Sequence, residues 1–152
     1  MAIDRDATLK QADKLLKQGK LDAAIAEYVR LIDDQPQDWT TINALGDLYL
    51  RARNNEKAIE QYIRVADHQF AEGFFPKSAA LYKKALKLEP ENEHILLQLA
   101  EIGERQGKFV DAKQFLDTSK AFGVDMNIRR AASFMKAARV DQTPTIVVNG
   151  KY

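Results

Sequence analysis

The sequence predicts an all-α protein, with about seven antiparallel helices stacked as a solenoid, one further C-terminal helix and a short β-prone tail. Three observations predict this fold class. Only 7 Gly and 4 Pro occur among 152 residues, which favours long uninterrupted helices. The first three quarters of the chain repeat at intervals of 34 residues. In each copy a small residue is followed four positions later by Tyr or Leu, so both lie on one helix face.

The small-and-large pairs locate the repeats. They are Ala24/Tyr28, Ala58/Tyr62, Ser78/Tyr82 and Ala112/Leu116. Ala24 and Ala58 lie 34 positions apart, whereas Ala58 and Ser78 are only 20 apart. Because the shortfall of 14 residues is about one helix, we expect one long helix over roughly 56–72 to serve two repeats. The predicted helices are 5–18, 22–34, 39–52, 56–72, 76–88, 92–106 and 109–121.

Residues 5–119 resemble the tetratricopeptide repeat (TPR), a helix–turn–helix unit. In the stretch INALGDLYL, Leu45, Gly46 and Tyr49 occupy the family's Leu, Gly and Tyr positions. Proline at 36 and 90 stands where the family ends its second helix, and glycine at 19, 73 and 107 stands at the inter-helix turn. Arg53 replaces that glycine in the second repeat. The resemblance implies a TPR-like right-handed α-solenoid over 1–118, acting as a non-enzymatic protein–protein interaction scaffold.

In the family, partners usually lie against the concave face, which the first helix of each repeat builds. The ninth position of those helices is acidic throughout, and we call its members the acidic row: Asp13, Asp47, Asp67 and Glu101. Neighbouring positions supply Leu9, Leu16, Asn43, Leu50, Ile63, Phe70 and Leu97. We therefore expect a groove for an extended peptide that bears Lys or Arg. The alternative is a solvated charged face on which Leu16 and Leu50 pack against the next repeat.

Two other features of the repeat region bear on partners. Leu9 and Asp13 occupy positions where the carboxylate clamp of chaperone-binding relatives needs Lys and Asn, so capture of an acidic C-terminal tail is not expected. Phe74 and Phe75 are either an exposed anchor for a partner or a cover over a helix junction, and burial preference favours the cover.

Neither the composition nor the motifs of the sequence indicate a catalytic site. The chain has no Cys, which excludes thiol chemistry and disulfides. His68 and His94 lie 26 positions apart without metal-ligand spacing, and no P-loop or G-x-S-x-G motif occurs. We predict no catalytic residue, no metal and no cofactor. The net charge of +1 gives no general attraction to nucleic acid, and without a signal or membrane-spanning run we expect a cytoplasmic protein.

The repeat pattern stops near residue 119. Asp125 is the predicted N-cap of a helix over 126–139, whose apolar stripe is suited to cap the solenoid. The chain then reads TPTIVVNGKY at 143–152, with a β-branched run and a tight-turn Asn-Gly pair.

This tail, 119–152, resembles the cis-proline segment of DsbA-type thiol:disulfide oxidoreductases, which have the thioredoxin fold. The resemblance places Pro144 at the cis proline, although the catalytic cysteines are missing. It leaves open a fusion, a chimera or a truncation, and it suggests an alternative function as a redox or chaperone protein that has lost its active site. The uncharged run from Thr145 to Asn149 also makes self-association through the tail possible.

Overall fold

The computed structural model describes residues 2–121, which form seven α-helices and no strand. The helices are α1 (Arg5–Lys17), α2 (Leu21–Asp34), α3 (Trp39–Arg51), α4 (Asn55–Ala71), α5 (Phe75–Leu86), α6 (Glu93–Arg105) and α7 (Phe109–Ala121). All seven predicted helices of the repeat region are confirmed, as is the all-α class. The predicted capping helix, the β-prone tail and Pro144 lie outside the described residues.

The chain divides into two compact units, Met1–Gly73 and a second that begins at Phe74. In the first unit, α1 pairs with α2, α3 pairs with α4, and α2 packs against α3. In the second, α6 packs against both α5 and α7. The predicted division into 1–118 and 119–152 is not tested by these residues and stays a prediction.

Small residues let paired helices approach closely in the first unit. Ala24 and Ala58 are completely buried, and so is the Tyr62 side chain that follows Ala58 by one turn. A Cβ atom built on Gly46 of α3 would lie only 2.7 Å from Cε1 of Tyr62. The repeated small-and-large pairs therefore act as predicted, with the small residue admitting the neighbouring helix and the large one filling the space between helices.

Helix starts follow capping chemistry. The side chains of Asp4, Asp38, Asn54 and Asn92 each accept a hydrogen bond from the backbone N–H three residues later. The Asp38 cap is the most elaborate. Its carboxylate also accepts a hydrogen bond from the Thr41 hydroxyl at 2.5 Å and one from Arg5 Nε at 3.0 Å, which ties the start of α1 to the start of α3.

The hairpin turns explain the glycine pattern. Gly19, Gly73 and Gly107 have φ of 74°, 78° and 71°, the left-handed region in which a side chain is strained. Arg53 occupies the same place in its repeat with φ of 58°. The turn therefore imposes a left-handed backbone conformation on Arg53, although residues other than glycine rarely adopt it.

The long helix predicted at 56–72 is α4, which runs for 17 residues. The predicted sharing of this helix between two repeats requires it to pack on α5 as well as on α3. Helix α4 packs on α3 within the first unit, whose boundary follows α4 directly, and the sharing with α5 stays a prediction.

The second unit has its helices in alternating directions. Arg105, at the end of α6, lies 5.7 Å from the centre of the Phe75 ring at the start of α5. Gly103 of α6 lies against Ala112 of α7, where an added Cβ would meet the Ala112 backbone nitrogen at 3.1 Å. The starts of α5 and α7 therefore lie at the same end of this unit, beside the end of α6.

Candidate protein-interaction surface

The first helix, α1, carries one partly apolar face. Leu9, Asp13 and Leu16 follow one another at spacings of one helical turn. Leu9 and Leu16 are half-buried, whereas Asp13 is exposed. Asp13 also acts on its neighbour: burial raises the pKa of Tyr28, and the negative charge of Asp13 raises it further. The carboxylate of Asp13 has no hydrogen bond or ion pair within residues 2–121.

The equivalent face of α3 carries Asn43, Asp47 and Leu50, all half-buried. Asp47 accepts a hydrogen bond of 2.6 Å from the hydroxyl of Tyr62 in α4. Burial raises the pKa of Tyr62 strongly, and the bond to the Asp47 carboxylate, together with its charge, raises it further. This member of the acidic row is therefore also part of the α3–α4 contact, a role that the sequence analysis did not assign.

Asn43 has a buried side-chain oxygen, Oδ1, without a hydrogen-bond partner in the part of the chain that the structure describes. The side-chain oxygens of Gln69 in α4 and Gln98 in α6 are likewise buried and without a hydrogen-bond partner among the described residues. Native proteins satisfy most buried polar atoms, so these three oxygens are exceptions within the described residues. The repeat spacing indicates Asn43 but not the two glutamines, because only burial distinguishes them from ordinary surface amides.

The remaining predicted residues lie on α4 and α6. Ile63, Asp67 and Phe70 on α4 are half-buried, as are Leu97 and Glu101 on α6. Glu101 accepts hydrogen bonds of 2.7 and 3.1 Å from Arg105 of its own helix. Burial raises the pKa of the next acid along, Glu104, and the Glu101 charge adds to the rise while Arg105 opposes it.

The structure therefore brings three members of the acidic row, Asp13, Asp47 and Asp67, into the first unit and places Glu101 in the second. The carboxylates of Asp47 and Glu101 already have hydrogen-bond donors, from Tyr62 and Arg105 respectively. The predicted residues lie on the helices expected of them, and none of them is completely buried. Their joint use as one binding groove remains a prediction.

Both histidines contact aromatic rings. His68 of α4 stacks on Trp39 of α3 with ring centres 4.0 Å apart, and His94 of α6 meets Tyr82 edge-on at 6.1 Å. Within the described residues, no group of three or more His, Asp or Glu side chains is placed to hold a metal ion. None of the helices described here is long and apolar enough to cross a membrane.

Comparison with known sequences identifies the class of protein. Two sequence models, each described as tetratricopeptide repeat, match residues 9–72 and 69–138. Together they span most of the chain, and the protein belongs to the tetratricopeptide repeat family. Members of this family are typically protein-interaction scaffolds that bind proteins or peptides, and they are generally non-enzymatic. No curated protein matches the sequence, and no match shows the DsbA-like resemblance of 119–152.

Solved structures with a similar fold are distant in sequence. A crystal structure of MamA is 17% identical, with 91% of this chain and 85% of that chain covered and a TM-score of 0.48. A tetratricopeptide repeat protein from Parabacteroides merdae is 14% identical, covering 90% and 60% of the two chains, with a TM-score of 0.47. PilF of Pseudomonas aeruginosa is 14% identical, covering 91% and 76%, with a TM-score of 0.39. At these values the likeness says nothing about partners.

Proposed function

We propose that this protein is a non-enzymatic interaction module that binds a Lys- or Arg-bearing segment of a partner protein along the first helices of its repeats. The observation that carries the proposal is the exposure of apolar surface and of one carboxylate on the α1 face. Leu9 and Leu16 keep part of their apolar surface exposed, and the carboxylate between them, Asp13, is exposed and without a hydrogen-bond donor among the described residues.

This combination suits an extended basic segment. Partly exposed leucines gain from burial against a peptide's apolar side chains, at about 25 cal/mol for each Å² removed from water. The carboxylate gains a cation that the folded chain does not provide. On α3, Asn43 adds an amide whose side-chain oxygen has no hydrogen-bond partner among the described residues.

The competing interpretation is that these charges merely solvate the surface. The two interpretations differ in what they expect of Asp13. If the face binds a basic segment, removal of the Asp13 charge weakens binding specifically. If the face is only solvated, Asp13 is equivalent to any other exposed carboxylate on the molecule.

The test is a binding screen with Lys- and Arg-bearing peptides, followed by fluorescence anisotropy with Asp13→Asn. We expect Asp13→Asn to weaken the best peptide about two- to fivefold, the range for one exposed ion pair. The matched control is Asp33→Asn, which removes the same charge from an exposed position on α2. Equal effects of the two substitutions, or binding that ignores the peptide's charge, would rule out the proposed face.

A further inference from the structure

A second surface lies in the unit that begins at Phe74, between α5 and α7. The two helices flank α6 and leave an open cleft of about 270 Å³, which we call the α5–α7 cleft. Leu99 and Ile102 of α6 form its floor, and each is only 2% exposed. Ala79 and Ala80 form the α5 wall. Because alanine side chains are short, they leave a trough where longer residues would close the gap between the helices.

Two exposed apolar side chains lie close in sequence to residues of this cleft. Phe74 is 53% exposed and Val110 is 79% exposed, and both stand out among the large hydrophobic residues of the described chain. Phe74 precedes the cleft residue Pro76, and Val110 precedes the cleft residue Asp111. The expectation that Phe74 covers a helix junction is therefore wrong, whereas Phe75 is half-buried beside Arg105.

The charge around the cleft is basic. Lys83 of α5 and Lys108 before α7 line its rim, against one acid, Asp111. Neither lysine ammonium has a hydrogen bond or ion pair with a residue in the range 2–121. The stretch 73–88, which includes α5, has four lysines and no acidic residue, and of these lysines Lys83 lines the cleft. Positive potential along an apolar trough favours a partner with the opposite charge and its own apolar stripe.

We propose that the α5–α7 cleft binds an acidic amphipathic helix of a partner protein. Its apolar stripe, with residues one helical turn apart, enters the trough between Ala80 and Phe115, as in other helix-in-groove complexes. Its Asp or Glu side chains meet Lys83 and Lys108. This surface has the opposite charge preference to the α1 face and lies in the other unit, so it is independent of the function proposed above.

The test uses a library of labelled peptides of about 15 residues, with Leu on one helical face and Glu on the other, and a matched library with Lys in place of Glu. Binding to the full chain is followed by fluorescence anisotropy. We expect the acidic peptides to bind at least about tenfold more tightly than their Lys counterparts, and we expect their affinity to fall as salt rises. Equal affinity for both libraries, or no binding of any acidic peptide, would overturn the proposal.

Two sets of variants locate the binding. Ala80→Glu places a carboxylate on the cleft wall and should weaken the acidic peptides about tenfold or more, whereas Ala26→Glu makes the same change at an exposed alanine of α2 and should leave them unchanged. Lys83→Glu combined with Lys108→Glu alters only exposed residues and should reverse the preference toward the Lys peptides. Far-UV circular dichroism confirms that each variant keeps its helices. The cleft is not the binding site if Ala80→Glu binds the acidic peptides as the wild type does. The same conclusion follows if the double lysine variant still prefers the acidic peptides.

Two further measurements distinguish this proposal from the basic-segment proposal for α1 and from self-association. Asp13→Asn should not affect the acidic peptides, so the basic-segment proposal for α1 can fail without affecting this one. Sedimentation of the chain alone checks whether a second copy fills the cleft. A concentration-dependent rise in mass that Ala80→Glu abolishes would assign the cleft to self-association and overturn the partner helix.

Discussion

Arg53 adopts a left-handed backbone conformation, with φ of 58°, at a turn where Gly19, Gly73 and Gly107 serve the other hairpins. A side chain in this region costs about 1–2 kcal/mol, and glycine avoids that cost while losing about 0.5–1 kcal/mol of chain entropy on folding. We therefore expect Arg53→Gly to raise the free energy of unfolding by up to about 1 kcal/mol. Urea denaturation followed by circular dichroism measures the change.

The reverse substitution is the control. Gly19 has φ of 74°, and a Cβ atom added there would meet nothing within 4 Å, so Gly19→Arg tests backbone strain without a clash. It should lower the free energy of unfolding by a similar amount. If Arg53→Gly destabilises the protein instead, contacts of the arginine side chain outweigh the strain of its backbone.

Asp38 is a second residue whose effect can be isolated. Burial alone would raise the pKa of its carboxyl group, but hydrogen bonds from the Thr41 hydroxyl and amide and from Arg5, with the Arg5 charge, lower the pKa below the ordinary value of 3.8. Asp38→Asn can still cap α3 but loses the charge, and we expect it to cost about 1 kcal/mol at neutral pH. The Arg5 side chain is 40% exposed, so its ion pair contributes only a small part of that cost.

The pH dependence has a definite sign. Because the pKa of Asp38 is lower in the folded chain than in the unfolded one, its stabilisation is complete above about pH 5 and is lost as the pH falls through the folded-state pKa. The difference in stability between the wild type and Asp38→Asn should therefore shrink between about pH 5 and pH 3. A constant Asp38 difference across this range would contradict the assignment.

At the scale of the helix pair, Gly46 and Tyr62 control how closely α3 approaches α4. The Tyr62 ring is completely buried and its hydroxyl is bonded to Asp47, so it has little freedom to move away from a new methyl group. With the new Cβ atom 2.7 Å from Cε1 of the ring, we expect Gly46→Ala to cost about 1–3 kcal/mol. Urea denaturation again measures the cost.

A double-mutant cycle shows whether that cost arises from the ring. In a Tyr62→Leu background the ring atom that meets the new methyl group is gone, so Gly46→Ala should cost less than in the wild type. Additive costs of the two substitutions would instead place the strain in the helix backbone.

The sequence predicts elements well here because each signal is local. Glycine and proline at the turns and the spacing of the small-and-large pairs all act within one hairpin, and they predict the helices to within about two residues. The double role of Asp47 depends on Tyr62 in the next helix, 15 positions away, which spacing alone does not reveal. The α5–α7 cleft depends on how α5 and α7 both pack against α6 and on which side chains stay exposed, so no motif indicates it.

At the scale of the whole molecule, the two compact units raise the question of whether the chain unfolds as one body. Repeat proteins gain stability mainly from contacts between neighbouring repeats, so damage to one end is transmitted only through successive interfaces. The substitution Gly103→Ala should destabilise the packing of α6 on α7 in the second unit. Its Cβ atom would meet the backbone nitrogen and Cα of Ala112 at 3.1 and 3.2 Å, and backbone atoms of a packed helix cannot easily shift.

The chain contains a natural reporter for the first unit. Trp39 is its single tryptophan and is stacked on His68, so its fluorescence follows the α3–α4 pair, whereas circular dichroism follows all helices. We expect Gly103→Ala to lower the urea midpoint by circular dichroism more than the midpoint by Trp39 fluorescence, since about 1–3 kcal/mol is lost from α6–α7 contacts alone. Hydrogen exchange should accelerate in α6 and α7 while α3 and α4 keep their protection. Equal shifts of the urea midpoint by both probes would mean that contacts between neighbouring repeats make the protein one cooperative unit. A partner bound on either unit would then stabilise the other.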